Sequence, residues 1–485
     1  LKKSFYIFLF CANSIFAQKL EFNAECKSAY QEIFRFKFEN GKQLLQIEKN
    51  KNPNNTFTYF IENYIDFFTL YISEDKNLYN KVKQNIENRL DRISASDKNS
   101  PYYLYTQAEI HLQWALCKLK FKEYIGAIFE IKKAYSLLNE NQKKYPKFKA
   151  NLKSLGFLHT IFGAVPENYK TGAKILGLKG SIPQGLEELH SVIEDKQFEF
   201  REEAIILYTF LQLHLNKDQS KAWNTIANQN LETNDNILFT FVKANVAQHL
   251  GKNDEVINII QNQSYSKTNY PIHFLDYMLG NAYLQQLNDK SINYLLKYIN
   301  NFKGNSYIKE CYRKIAWYYV VKDKPELYFK YMQLCKNFKE AITDEDKSAH
   351  KEAERNLLPN KYILQARILF DGNYLNKALE KINQVSTQNL KGRDVVEYYY
   401  RKARIYDKLN LSKEANENYI LTINKSNNTN YYFGANACVQ LARYFEEQKK
   451  KSLAIQYYNK ALSLPKDEYE NSINAEAKAG LNRLQ

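Results

Sequence analysis

Between residues 362 and 454 the chain sets down one local pattern three times: Tyr362-x3-Ala366-Arg367, Tyr399-x3-Ala403-Arg404 and Cys438-x3-Ala442-Arg443. Each first alanine is answered twelve residues later by a second, at Ala378, Ala415 and Ala454. The copies are spaced 37 and 39 residues apart, a period that belongs to stacked helical hairpins. Two antiparallel helices can approach closely only where the facing side chains are small, so the alanine pairs mark the seams of the hairpins. In the last copy Leu441, Phe445, Tyr458 and Ala461 fall beside the alanine pair, and Pro465 stops the second helix because proline cannot supply the next backbone donor. The expected fold class is all-α, a right-handed superhelical solenoid of antiparallel helix hairpins.

The run Leu279-Gly280-Asn281-Ala282-Tyr283, with these later copies, resembles the tetratricopeptide repeat. Weaker copies follow the same offsets at Ala244 with Val256, at Ala316 with Tyr319, and around Ala204 to Ala227. The resemblance covers roughly residues 200–485. It implies a non-catalytic scaffold that binds a protein or peptide in the groove formed by the first helix of each hairpin.

Composition supports the reading where it bears on packing. Across 485 residues there are only 15 Gly and 9 Pro, few breakers for so long a chain, and 44% hydrophobic residues exclude disorder over most of it. The 39 Tyr suit small cores between helices that keep a hydroxyl near water. Three segments follow from these patterns. Residues 1–17 read as a signal peptide, with Lys2 and Lys3 before the apolar run Ser4 to Phe16 and a cleavage point at Ala17-Gln18. Lipidation at Cys11 is the rival reading, opposed by the large Phe10 before it. Residues 18–200 read as irregular N-terminal helices, with candidates at 24–38, 56–73, 76–93, 102–119 and 123–139, and 201–485 as the repeat array. Export into the periplasm or to the outer membrane of a Gram-negative bacterium is the expected location. No later stretch reaches the ~18 uninterrupted apolar residues of a spanning helix, so membrane contact would be peripheral.

The segment 152–190 holds Gly156, Gly163, Gly172, Gly177, Gly180 and Gly185, six of the fifteen glycines, which predicts close backbone approach or unusual turns. Val165-Pro166, Ala173-Lys174-Ile175-Leu176-Gly177-Leu178-Lys179-Gly180 and Gly185-Leu186 with Leu189 resemble a run of the Iml2/tetratricopeptide-39 family, with Leu178 in place of its usual Phe and Ser181 in place of its usual Asp. That family is all-helical and implicated in lipid and inclusion handling. No catalytic activity attaches to the motif.

Reaction centres are not written in the sequence. There is no Gly-x4-Gly-Lys-Ser/Thr phosphate loop, no His-Glu-x2-His and no Gly-x-Ser-x-Gly elbow. Glu187-x2-His190 lacks the second copy that a di-metal bundle needs. Past Cys11 the cysteines number five and are widely spaced, which reads as core thiols, with a Cys311–Cys335 bridge as the alternative. Hence no catalytic residues, metal ligands or cofactor are expected.

The functional expectation rests on Arg367, Arg404 and Arg443. In tetratricopeptide proteins the residue after the first small residue faces the groove, so these three would form a ladder able to hold an acidic segment or terminal carboxylate through bidentate hydrogen bonds. Ile363, Tyr400, Val439, Asn360 and Asn436 would flank it. The other reading pairs Arg404 with Asp407 and Arg443 with Glu446 along their own helices. Net charge is +16, or +14 without Lys2 and Lys3, which suits an anionic partner, and export argues against nucleic acid. Lys449-Lys450-Lys451 reads as a solvated turn. A protein-binding scaffold is the first expectation, an exported glycan- or lipid-binding protein the second, and an enzyme without a recognisable motif the third.

Overall fold

A computed structural model describes residues 18–166, 177–227, 236–263 and 269–484. The signal-peptide segment, Cys11, Gly172 and the run Ala173 to Leu176 lie outside the described residues. Among the described residues the fold is all-α, with β pairing limited to isolated bridges of Gln18 with Ser96 and Lys19 with Asn55. No described helix is long and apolar enough to cross a membrane. The chain divides into two compact units, Leu1–Val246 with Asn262–Ile272, and Ala247–Gln261 with His273–Gln485. Helices from 201 to 246 therefore group with the N-terminal unit, not with the C-terminal array.

In the first unit the helices are α1 (Ala24–Phe34), α2 (Phe38–Lys51), α3 (Phe57–Ser73), α4 (Lys76–Val82), α5 (Asn85–Ser94), α6 (Pro101–Lys120), α7 (Tyr124–Lys144), α8 (Ala150–Gly163), α9 (Ile182–Ile193), α10 (Arg201–His214) and α11 (Gln219–Ala227); α12 (Ile237–His249) runs to the unit boundary. The expected helix 24–38 is two helices. Phe36 takes a left-handed conformation (φ 63°) and is fully buried, so an apolar run continuous through Phe34, Phe36 and Phe38 conceals a hairpin turn. Gly41 lets α2 close onto α1, since a Cβ there would lie 2.3 Å from Ile33. Likewise 76–93 is interrupted between Val82 and Asn85.

The glycine-rich segment does what its composition predicts. A Cβ on Gly156 would stand 2.7 Å from the Gly185 carbonyl, and one on Gly163 2.4 Å from the Ile182 nitrogen. Backbones of α8 and α9 thus meet where only hydrogen atoms fit.

The second unit is a stack of helical hairpins: α13 (Asn253–Gln261), α14 (Phe274–Gln285), α15 (Lys290–Asn301), α16 (Ile308–Val321), α17 (Pro325–Asn337), α18 (Asp344–Arg355), α19 (Lys361–Asp371), α20 (Leu375–Asn383), α21 (Arg393–Lys408), α22 (Ser412–Lys425), α23 (Tyr432–Glu447), α24 (Lys451–Ser463) and α25 (Glu470–Leu484). The three alanine pairs fall on the hairpins α19/α20, α21/α22 and α23/α24, and every member is buried to at most 1% exposure. On α14, Gly280 serves the same purpose, facing Leu295 at 2.7 Å from where a Cβ would be. In α16/α17 the residue twelve after Ala316 is Tyr328, buried in the same cluster. Tyr319 instead lies partly exposed and stacks on Tyr331. Cys26, Cys117, Cys311, Cys335 and Cys438 are buried free thiols.

Helix α18 interrupts the alternation. It opens with a capping box in which Thr343 and Asp346 satisfy each other's backbone, and buried Asp346 also accepts from the backbone nitrogens of Tyr307 and Glu310 at 2.8 and 3.0 Å. One carboxylate thus fastens the starts of α16 and α18 together. The helix places Ser348, Glu352 and Arg355 among the arginines of its neighbours.

Candidate functional site: an arginine face in the second unit

Starting from Arg393, the first residue of α21, a spacing of four residues puts Glu397 and Arg401 on the same helical face. Arg401 forks onto Glu397, donating from Nε at 3.0 Å and from Nη2 at 2.8 Å to the same oxygen. Arg393 approaches the other oxygen of Glu397 at 3.7 Å. Burial by itself would raise the Glu397 carboxyl, but the Arg401, Arg393 and Arg367 guanidiniums outweigh it and hold the group at about 2. Next to it, burial and the Glu397 charge push Asp394 up to about 6.

A second cluster is built around Trp317 of α16. Its indole donates to Glu352 at 2.6 Å, and the guanidiniums of Arg313 and Arg367 lie 4.8 and 4.4 Å from its ring centroid. Arg313 also meets Ser348 at 2.9 Å and Glu352 at 3.4 Å, while Arg367 reaches Glu352 at 3.7 Å. Burial would raise Glu352, yet Arg313 and Arg367 keep it below the usual carboxylate range.

Between the two clusters runs an acidic stretch of the chain itself. Asp467 and Glu468, in the loop joining α24 to α25, are 18% and 6% exposed in their side chains. Arg393 reaches Asp467 at 3.3 Å and Glu468 at 3.2 Å, and Arg355 reaches Glu468 at 3.0 Å. Backbone contacts complete the seat: Tyr432 donates its N–H to the Asp467 carboxylate at 3.2 Å, Lys351 reaches the Asp467 carbonyl at 3.1 Å, and Asp467 donates its N–H to Asn430 at 2.6 Å. A bent loop carrying two adjacent carboxylates is therefore held by two arginines, a lysine and main-chain groups.

The residues expected to form the ladder are placed differently from one another. Arg367 belongs to the Trp317 cluster. Arg404 donates to the Tyr400 hydroxyl at 3.3 Å and lies over the Phe370 ring, and Tyr400 passes the chain of bonds on to Asn436 at 3.2 Å. Arg443 is half exposed and pairs with Glu476 of α25. The in-helix pairings are not what holds them: Asp407 accepts from Tyr419 at 2.9 Å, and Glu446 accepts from Arg483 at 2.8 Å and from Tyr458 at 2.6 Å. Ile363, Tyr400 and Val439 are core residues, at most 3% exposed, because the hairpin seam needs their bulk beside the alanines. Asn360 caps α19 by accepting from the nitrogens of Tyr362 and Ile363.

Sequence reasoning missed Arg355, Arg393, Arg401, Trp317 and Glu352. For α21 a signal existed in Arg393-x3-Glu397-x3-Arg401, a spacing that aligns all three on one face. Elsewhere Glu187 and His190 are both exposed, and Lys449 and Lys450 lie in an exposed turn that ends at Lys451, the first residue of α24. Among the described residues no group of three or more His, Cys, Asp or Glu is placed to hold a metal ion.

No family model matches the chain, and no curated protein matches it. Among solved structures, the crystal structure of yeast Tom70 is similar, at 14% identity and a TM-score of 0.23, over 86% of this chain and 96% of that one.

Proposed function

We propose that the protein is an exported, non-catalytic helical-repeat scaffold that captures an acidic segment of a partner protein on the arginine face of its second unit. One observation carries this reading: the face already holds such a segment, Asp467-Glu468, through charge-assisted hydrogen bonds from Arg355 and Arg393. Bonds of that kind are stronger than neutral ones and select planar carboxylates. A partner would compete with the chain's own segment, so its apparent affinity falls by the fraction of molecules in which the seat is vacant. Export rests on the cationic and apolar pattern of residues 2–18, and the cell envelope is the proposed place of action.

A glycan platform is the weaker reading. It calls for tyrosine or tryptophan grouped on an exposed face, whereas Trp114 and Trp317 are buried and tyrosines such as Tyr64, Tyr298, Tyr419 and Tyr458 are sealed between helices. The test is fluorescence anisotropy with a labelled peptide bearing adjacent Asp and Glu. Wild type should bind it more tightly at low salt than at high salt, and Arg355→Gln with Arg393→Gln should lose about tenfold or more, one removed charged bond being worth about 1.5–3 kcal/mol. Equal binding by this double variant contradicts the assignment of the face. Appearance of the chain in the cytoplasmic fraction with residues 1–17 retained contradicts export.

A further inference from the structure

In the first unit, α7 has two faces. Its inner face, Ala127, Ala134, Leu137 and Leu138, is buried, and α7 packs on α6. Its first two turns also carry large apolar side chains on the opposite side. Tyr124, Ile125, Ile128 and Phe129 are 59%, 75%, 44% and 68% exposed. They follow the i, i+1, i+4, i+5 spacing of a single helical stripe. Nothing in the core accounts for them, since the hairpin is already closed by the other face.

What continues the stripe identifies the occupant. The next two positions on the same face are Lys132 and Lys133, both exposed and in no ion pair among the described residues. Lys122, also exposed, stands in the turn before the helix. The apolar knob is thus flanked by cations at both ends along the helix. From Tyr124 to Phe129 the knob is ~7.5 Å long at 1.5 Å per residue. Four side chains are also far fewer than the roughly 20–30 residues a side of a stable protein interface. A short apolar stripe beside lysines is instead the kind of face that an amphipathic helix lays into the boundary between headgroups and acyl chains. A tyrosine at the edge of the knob and lysines beyond it are the residue types that sit at headgroup level. The chain's excess of 69 basic over 53 acidic residues acts in the same direction.

We propose that the first two turns of α7 dock the protein on an anionic membrane surface, with Ile125, Ile128 and Phe129 entering the interface and Lys132 and Lys133 pairing with lipid phosphates. This site is independent of the arginine face: one would tether the scaffold while the other holds its partner.

The experiment is flotation of the purified full-length chain with vesicles of phosphatidylcholine, with and without phosphatidylglycerol, at low and high salt. The protein should float with the anionic vesicles at low salt only. Ile125→Asp with Phe129→Asp should abolish flotation while leaving the melting temperature unchanged, because both side chains are exposed. Lys132→Ala with Lys133→Ala should weaken partitioning about 25-fold, at about fivefold per lysine near an anionic surface. Failure of wild type to float, or equal flotation of the aspartate variant, overturns the proposal. So does a wild-type dimer that does not float and that the aspartate variant dissociates in sedimentation, which would assign the knob to a second copy of the chain.

Discussion

Both units bury charge, and they do so in contrasting ways. In the first, Lys153 is 1% exposed and donates to Glu109 and Glu203, each at 2.8 Å, inside an aromatic core. Tyr30 and Tyr64 add their hydroxyls to Glu203, and the Lys153 ammonium lies over the rings of Tyr105 and Phe200. The charged groups and both hydroxyls all come from helices that pack around this point, so the group is a fixed strut. In the second unit, Arg355 and Arg393 share their charge with carboxylates of a connecting loop. A loop can leave without dismantling a hairpin, whereas a helix cannot. The difference separates charge that specifies a fold from charge that can be exchanged with a partner.

The comparison breaks most visibly at the strut. Lys153→Met leaves two carboxylates buried side by side, which should cost about 3–5 kcal/mol. Thermal and urea unfolding should show a large loss, against a small one for neutralising the loop in the second unit. Next in size is Glu397→Gln, which strands Arg401 next to Tyr400 and Phe433 and should cost on the order of 3 kcal/mol. The same carboxylate predicts a pH dependence. Its folded value of about 2 lies below the unfolded range, so its stabilisation is full above about pH 4.3 and is lost as pH falls toward 2. Asp394, raised to about 6, has the opposite sign: the unfolded chain ionises it first, and stability declines as pH rises from about 4 to 6. Asp394→Asn should flatten that part of the unfolding profile while Glu397→Gln flattens the acid limb.

Gly156→Ala probes the first unit without touching charge. The added carbon would meet the Gly185 carbonyl, and overpacking of this kind costs about 1–3 kcal/mol, readable as a lower melting temperature. Smallest of all, Arg443→Ala removes a half-exposed pair with Glu476 and should change stability by about 1 kcal/mol or less.

Those magnitudes also explain what could be read in the sequence. The hairpins were legible because their seams recur: Ala366 with Ala378 and Ala442 with Ala454 are local, periodic and forced by close packing. Close approach at Gly156 and Gly185 was legible for the same reason, since only glycine permits it. The turn at Phe36 was not, because a buried aromatic in a left-handed conformation looks like one more apolar residue of a helix. Arginine roles were the least legible. Arg404 and Arg443 have acidic residues three positions on, yet Arg404 turns back to Tyr400 on its own helix and tertiary approach gives Arg443 the carboxylate of Glu476. The partners of Arg393 lie 74 and 75 residues away, in a loop whose position depends on every hairpin between.

The central claim is that the arginine face of the second unit is a receptor for acidic segments, with Asp467-Glu468 seated in it. It is tested most directly by repeating the peptide titration with Asp467→Asn and Glu468→Gln combined. Freed of its internal competitor, the variant should bind the acidic peptide about tenfold more tightly than wild type. Unchanged or weaker binding, with the variant still folded by circular dichroism, would show that the loop is a structural clasp and that partners are recognised elsewhere.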